Sequence, residues 1–211
     1  MPTRPRLLLF DLDGVLADYR RDVRCRHLAE FLGVAEPEVN RALFGSGLEA
    51  RSDRGDLDLP DYLDELRFQF GWNLPLGDFI AARRAATRTR PNMLALCERL
   101  STQSALAIFS NNGAWFGEHA MRVVPELVPL FGRRLVCSGS IGACKPAPEA
   151  FAGCLRRLGF NPASTLFVDD LPENIEGAVQ VGLDAVLFQS HSSLCAALRA
   201  RDLDPGDDHA T

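Results

Sequence analysis

The chain has 211 residues, 46% of them apolar and 24% charged, with a formal net charge of −5. This is ordinary for a globular protein of one domain or of a core with one insert, and the negative balance excludes nonspecific nucleic-acid binding, which needs a basic surface. No apolar run approaches membrane-spanning length and no apolar signal core precedes the first strand, so a soluble cytoplasmic protein with no membrane partner is predicted.

The first predicted element is a strand over 7–10. Leu7-Leu8-Leu9-Phe10 is apolar without alternation, the pattern of a strand buried on both faces. The stretch 18–89 carries no buried-strand pattern. Amphipathic periodicity over 23–32, 37–44, 59–70 and 78–87 predicts helices there, with loops at 45–47 and 51–55. A helical insertion at the ligand edge of a sheet makes a natural lid. From residue 91 onward strands and helices alternate: helix 91–100, strand 105–109, strand 135–137, helix 148–158, strand 165–168, helix 173–181 and strand 185–188. Gly159 and Gly182 supply helix stops. Such alternation predicts an α/β fold, a Rossmann-like mainly parallel sheet flanked by helices with right-handed crossovers. Residues 1–17 and 90–211 form the core on this reading, 18–89 a cap, and 204–208 a frayed end.

Four polar clusters follow predicted strands or open helices. Asp11 and Asp13 come at the end of the first strand, where open α/β sheets keep their ligand sites. Gly14 then lets the chain turn sharply. Two carboxylates at this spacing can hold a divalent metal or divide nucleophile and acid/base roles, although Asp-x-Asp-Gly also occurs in calcium loops and plain turns. Ser110-Asn111-Asn112 can donate to a phosphate oxygen or form a simple turn. Lys145 precedes the helix over 148–158 and is the only lysine among 23 basic residues. It can bring a compact positive charge to acidic groups, or stand solvated at the surface. Asp169 and Asp170 end a buried strand, where adjacent acids are costly unless they are paired or bind metal. Asp170 is also a good helix cap, and Glu173 and Asn174 follow on the next helix.

This order, Asp-x-Asp-Gly, Ser-Asn, Lys-Pro, Asp-Asp, resembles the haloacid dehalogenase-like (HAD) hydrolase superfamily over residues 1–17 and about 90–195. The segment from Phe167 to Ala178 is similar to the subgroup with a small helical cap after the first motif, in particular phosphatases of the α-glucose-1-phosphate phosphatase kind and the phosphatase domain of soluble epoxide hydrolases. The resemblance implies a magnesium-dependent phosphatase acting on a small phosphate ester, a sugar phosphate by closest likeness. It makes Asp11 the nucleophile that becomes aspartyl-phosphate and Asp13 the acid, then base. Ser110, Asn111, Asn112 and Lys145 would bind the phosphoryl group. Magnesium would be held by Asp11, the Asp13 carbonyl and Asp169, with Asp170 and Asn174 in support. Cys144 departs from the small or hydroxyl residue that many members carry before the lysine. The alternatives are a sugar phosphomutase, a 2-haloacid dehalogenase, whose branch typically lacks an acid at the Asp13 position, and a non-catalytic binding protein on the same fold.

Other residues carry weaker signals. Asp18, Arg51 and Arg54 can face the entrance or be solvated charges on the lid. Trp115 and Phe116 can line the pocket or pack. His27, His119, His191 and His209 show no ligand spacing, and none of the six cysteines forms Cys-x-x-Cys, so reduced thiols are expected rather than zinc or disulfides.

Overall fold

Strand β1 (Leu7–Phe10) runs through the centre of a five-stranded parallel sheet in a computed structural model that describes residues 4–206. The sheet order is β5 (Leu135–Cys137), β4 (Ala105–Ser110), β1, β6 (Thr165–Asp169), β7 (Asp184–Leu187). Leu7 pairs with Ala105 on one side and Thr165 on the other, so the three central strands end level. Side chains alternate across β1. Leu8 and Phe10 enter one apolar cluster, Leu7 and Leu9 another, and all four are fully buried. Burying each such side chain stabilises the fold by roughly 1.5–3 kcal/mol. Helices α6 (Pro91–Leu100) and α12 (His191–Arg199) cover the first face; α10 (Pro148–Leu158) and α11 (Pro172–Gln180) cover the second. The α/β fold expected from the alternating pattern is the one observed.

A two-stranded antiparallel ribbon, β2 (Ala17–Tyr19) with β3 (Thr87–Thr89), follows the first motif. Five helices lie between its strands: α1 (Arg21–Leu32), α2 (Glu36–Asn40), α3 (Leu48–Asp53), α4 (Leu59–Phe70) and α5 (Leu76–Ala85). Their apolar side chains, Leu28, Tyr62 and Phe79 among them, belong to the same cluster as Leu8 and Phe10. Short helices α7 (Ala114–Glu118), α8 (Ala120–Val123) and α9 (Val128–Phe131) follow β4.

The departures from the sequence reading are local. The helix expected over 37–44 breaks into α2 and a π-helical turn over Arg41–Gly45. Part of the expected loop over 51–55 is α3, whose two turns are too short to show a period. The ribbon strands, three residues each, carry no recognisable alternation. Helix α12 was not anticipated, although Ser190 and Ser193 close a capping box at its start. Residues 204–206 are not frayed: Gln103 Nε2 donates to the Asp204 carbonyl at 2.7 Å and Arg99 Nε to that of Pro205 at 2.6 Å. Asp207, Asp208 and His209 lie outside the described residues.

Candidate active site

Parallel strands that end level bring their C-terminal loops to one edge. Asp11 follows β1, and its backbone N–H donates to the Val168 carbonyl at 2.8 Å, tying it to the end of β6. Asp169 is the last residue of β6. Lys145 enters from the turn before α10, and its Nζ donates to Asp11 Oδ1 at 2.7 Å and to Asp169 Oδ2 at 2.6 Å. All three are buried: Asp11 is 6% exposed, Lys145 5% and Asp169 0%. The single lysine of the chain is therefore an internal counter-ion between two carboxylates, not a solvated surface charge.

Each member is held from behind. Asn111 clamps the Lys145 backbone with its side chain, Nδ2 donating to the Lys145 carbonyl at 2.9 Å and Oδ1 accepting from its N–H at 2.9 Å. Asn174 Nδ2 donates to both oxygens of Asp169, at 3.0 and 3.1 Å, and the Leu171 N–H donates to Oδ1 at 2.9 Å. Buried Asn112 donates to Ser110 Oγ at 2.8 Å. The serine oxygen is thus occupied as an acceptor, and its own proton is free for a ligand oxygen.

Charges in such burial titrate abnormally. Burial pushes the Asp11 carboxyl up to about 7; Lys145 pulls it down and Asp169 adds to the rise. Burial lowers the Lys145 ammonium, but Asp11 and Asp169 outweigh it and the net shift is upward. Asp170 is raised by burial and then by Asp169.

Asp13 points elsewhere. Its Oδ2 accepts from Arg83 Nη2 at 2.6 Å and from Asn112 Nδ2 at 3.4 Å. Arg83, from α5, is 1% exposed and lies over the Tyr19 ring, 3.9 Å from its centroid. The sequence reading missed this residue. A signal existed: Arg83 falls four residues after buried Phe79, on the apolar stripe of its helix. Arg24 on α1 is placed likewise, four residues before buried Leu28, and pairs with Glu49 at 2.8 Å. Asp53, beside this group, is pushed up to about 8 by burial and by Glu49.

Among the described residues the carboxylates that converge closely enough to hold a metal ion are Asp11, Asp169 and Asp170, with oxygens within 4.8 Å of one another. All are hard oxygen donors of the kind magnesium takes. The Asp13 carboxylate is outside this set, which leaves its main-chain carbonyl as the atom it has to offer. Gly14 sits against Asp170 so closely that any side chain there would collide with its carboxylate, and its φ of +97° suits glycine alone. A cleft of about 550 Å³ opens over Asp13, Gly14 and Asp170, with Asp18, Tyr19, Arg20 and Arg88 at its rim.

Of the weaker candidates, Asp18 lines this cleft. Arg51 pairs with Glu65 and Arg54 with Asp56 at the surface. Trp115 and Phe116 are buried packing residues, Trp115 edge-on to Phe79 at 5.0 Å. None of the six cysteines is in a disulfide, and burial pushes Cys137 and Cys154 up to about 12. Among the described residues no histidine joins a group able to hold a metal, and no helix is long and apolar enough to cross a membrane.

A family model described as haloacid dehalogenase-like hydrolase matches residues 5–182. The chain is 34% identical over 62 residues to flavin mononucleotide hydrolase 1 of Arabidopsis thaliana, a match spanning 29% of this chain and a quarter (25%) of that relative. It is 26% identical over 202 residues to the sesquiterpene phosphatase astK of Aspergillus oryzae, covering 94% of this chain and 97% of the other. A HAD family enzyme of Bacteroides thetaiotaomicron, solved with magnesium and inorganic phosphate, superposes with a TM-score of 0.72 at 19% identity, over 88% of this chain and 94% of its own.

Proposed function

We propose that this chain, which belongs to the haloacid dehalogenase-like hydrolase family, is a magnesium-dependent phosphatase that hydrolyses a small phosphorylated metabolite, a sugar phosphate, through an aspartyl-phosphate intermediate. The observation that carries the reading is the Lys145 ammonium bridging Asp11 and Asp169, with Asp13 close enough to act on Asp11. With Oδ1 held by Lys145, Asp11 presents its other oxygen to phosphorus in a fixed direction. Ser110 donates to a phosphoryl oxygen, and Lys145 offsets the charge that spreads over the group in transfer. Asp13 protonates the leaving oxygen and then takes a proton from the water that cleaves the acyl-phosphate, regenerating Asp11. The Asn111 side chain and Asn174 hold Lys145 and Asp169 in register, while the Asn111 backbone amide joins Ser110 in binding the phosphoryl oxygens. Asp11, Asp169 and the Asp13 carbonyl would hold magnesium, with Asp170 beside them; when bound, the ion supplies charge neutralisation at the phosphoryl oxygens.

Residues 18–89 act as the cap over this site on the same reading, with Arg83 reaching from it to Asp13. Six cysteines without a disulfide and the net charge fit a cytoplasmic protein that takes small-molecule esters and not nucleic acid. An acid at position 13 favours phosphate esters over 2-haloacids, because a halide leaves without a proton.

The test is phosphate release from a panel of phosphorylated metabolites in magnesium, in EDTA, and with 2-haloacids as a control for chloride release. Magnesium-dependent phosphate release is expected. Chloride release with no phosphatase activity, or turnover that survives exhaustive EDTA, refutes the reading.

A further inference from the structure

Arg24 and Arg83 are the two largest fully buried side chains of the described residues, at 2% and 1% exposure. Neither is fully satisfied. Arg83 spends Nη2 on Asp13, while its Nε and Nη1 have no hydrogen-bond partner among the described residues. Arg24 pairs with Glu49, and its Nε has none. Asp13 Oδ1 is likewise buried without a partner, as is Ser52 Oγ. Ser52 lies against Gly113, next to Asn112, so closely that a Cβ on Gly113 would strike its hydroxyl. A buried, unmet polar atom is costly, and more so if charged. A group of such atoms, donors and an acceptor together, borders the acid that serves the leaving oxygen. Asp13, which accepts from Arg83, and Tyr19, which carries the Arg83 guanidinium on its ring, both line the cleft, so the cleft borders this group.

We propose that Arg83 is a specificity-determining residue that, with Ser52, hydrogen-bonds hydroxyl groups of the leaving alcohol, so that the enzyme selects phosphate esters of polyhydroxylated alcohols over apolar ones. This rests on the phosphatase reading above. The unmet atoms decide between a hydroxyl and a second anion: an anion only accepts, and would leave the buried Asp13 Oδ1 without a donor. An apolar leaving group strands the buried donors and Asp13 Oδ1 together. A hydroxyl accepts from Arg83 Nε or Nη1 and donates to a carboxylate oxygen, which matches both kinds of unmet atom. Sites built in this way discriminate strongly against analogues that lack the hydroxyl.

The experiment compares a hexose monophosphate, geranyl monophosphate and p-nitrophenyl phosphate for the wild type and for Arg83→Met, Arg83→Lys and Ser52→Ala. The wild type is expected to favour the hexose ester over the geranyl ester by about 100-fold or more in kcat/KM. Arg83 also touches Asp13, so all rates fall in its variants; the informative quantity is the ratio between substrates. Arg83→Met should compress that ratio by about tenfold or more, chiefly through KM for the hexose ester, and Ser52→Ala by a smaller factor. Arg83→Lys should keep part of it. If Arg83→Met does not fold, Arg83→Lys and Ser52→Ala carry the test. A wild type that prefers the geranyl ester overturns the inference, and so does a ratio unchanged within about twofold in the variants while all rates drop together. A wild type that releases phosphate from none of the three overturns the phosphatase reading itself, and this inference with it.

Discussion

Replacing Lys145 with methionine removes the ammonium that holds Asp11 at 2.7 Å and Asp169 at 2.6 Å. Both carboxylates sit where water barely reaches, and each then lacks its cation. Deleting one partner of a buried ion pair costs about 3–5 kcal/mol. In a chain of this length each kcal/mol moves the melting temperature by about 2–4 °C, so Lys145→Met should melt about 6–20 °C lower in EDTA. The loss should depend on pH. Burial already lifts Asp11 to about 7 with the lysine present, and without it the carboxyl rises further. A carboxyl raised in the folded state contributes its stability below the unfolded value of 3.8 and loses it as pH climbs toward the folded one. The deficit is therefore smallest near pH 5 and grows toward pH 8. Adding Asp169→Asn removes one of the stranded charges and should recover part of the loss, a coupling that a double-mutant cycle isolates. Circular-dichroism melts at pH 5.5, 7 and 8, in EDTA and then in magnesium, measure all of this. A drop under about 2 °C at pH 8 in EDTA would refute the argument, because the ion triad would then be contributing nothing.

Three further outcomes are expected. Asp11→Asn should abolish phosphate release while leaving the melting curve within a few degrees of wild type, since the amide keeps the volume; near wild-type turnover in the purified variant removes Asp11 from its role. Asp13→Ala should slow aspartyl-phosphate formation from alkyl esters by about 10²–10⁴-fold and from p-nitrophenyl phosphate far less, measured in a single turnover because the second half-reaction also needs the base; equal losses for the two leaving groups mean that Asp13 is not the acid. Asp53 is raised to about 8, so the wild type loses its contribution to stability as pH rises from the unfolded value of 3.8 through 8. Asp53→Asn should remove that slope, and its melting temperature should gain on wild type steadily from pH 5 to pH 8; a constant gap across that range contradicts the assignment.

The five sheet strands could be read from the chain because their signal is local. Strands buried on both faces are uninterrupted apolar runs, and the expected boundaries fall within a residue or so of those observed. The strand ends that carry Asp11, Ser110 and Asp169 could be read for the same reason, since each polar cluster closes such a run, and level parallel strands must bring those ends to one edge. The helical stretch 18–89 showed its character through periodicity, while its ribbon strands and α3 were too short to show any. What the tertiary structure alone decided is which charge meets which. Lys145 reaches Asp11 across 134 residues of sequence, and Arg83 reaches Asp13 across 70. A composition or a period records how one segment faces water and cannot say what another segment brings to it. Arg83 stands on an apolar stripe with nothing nearby in sequence to announce its partner. Only the packing of α5 against the loop after β1 turns that buried guanidinium into the neighbour of Asp13, because a charge is held in the interior only where the fold supplies its counter-charge.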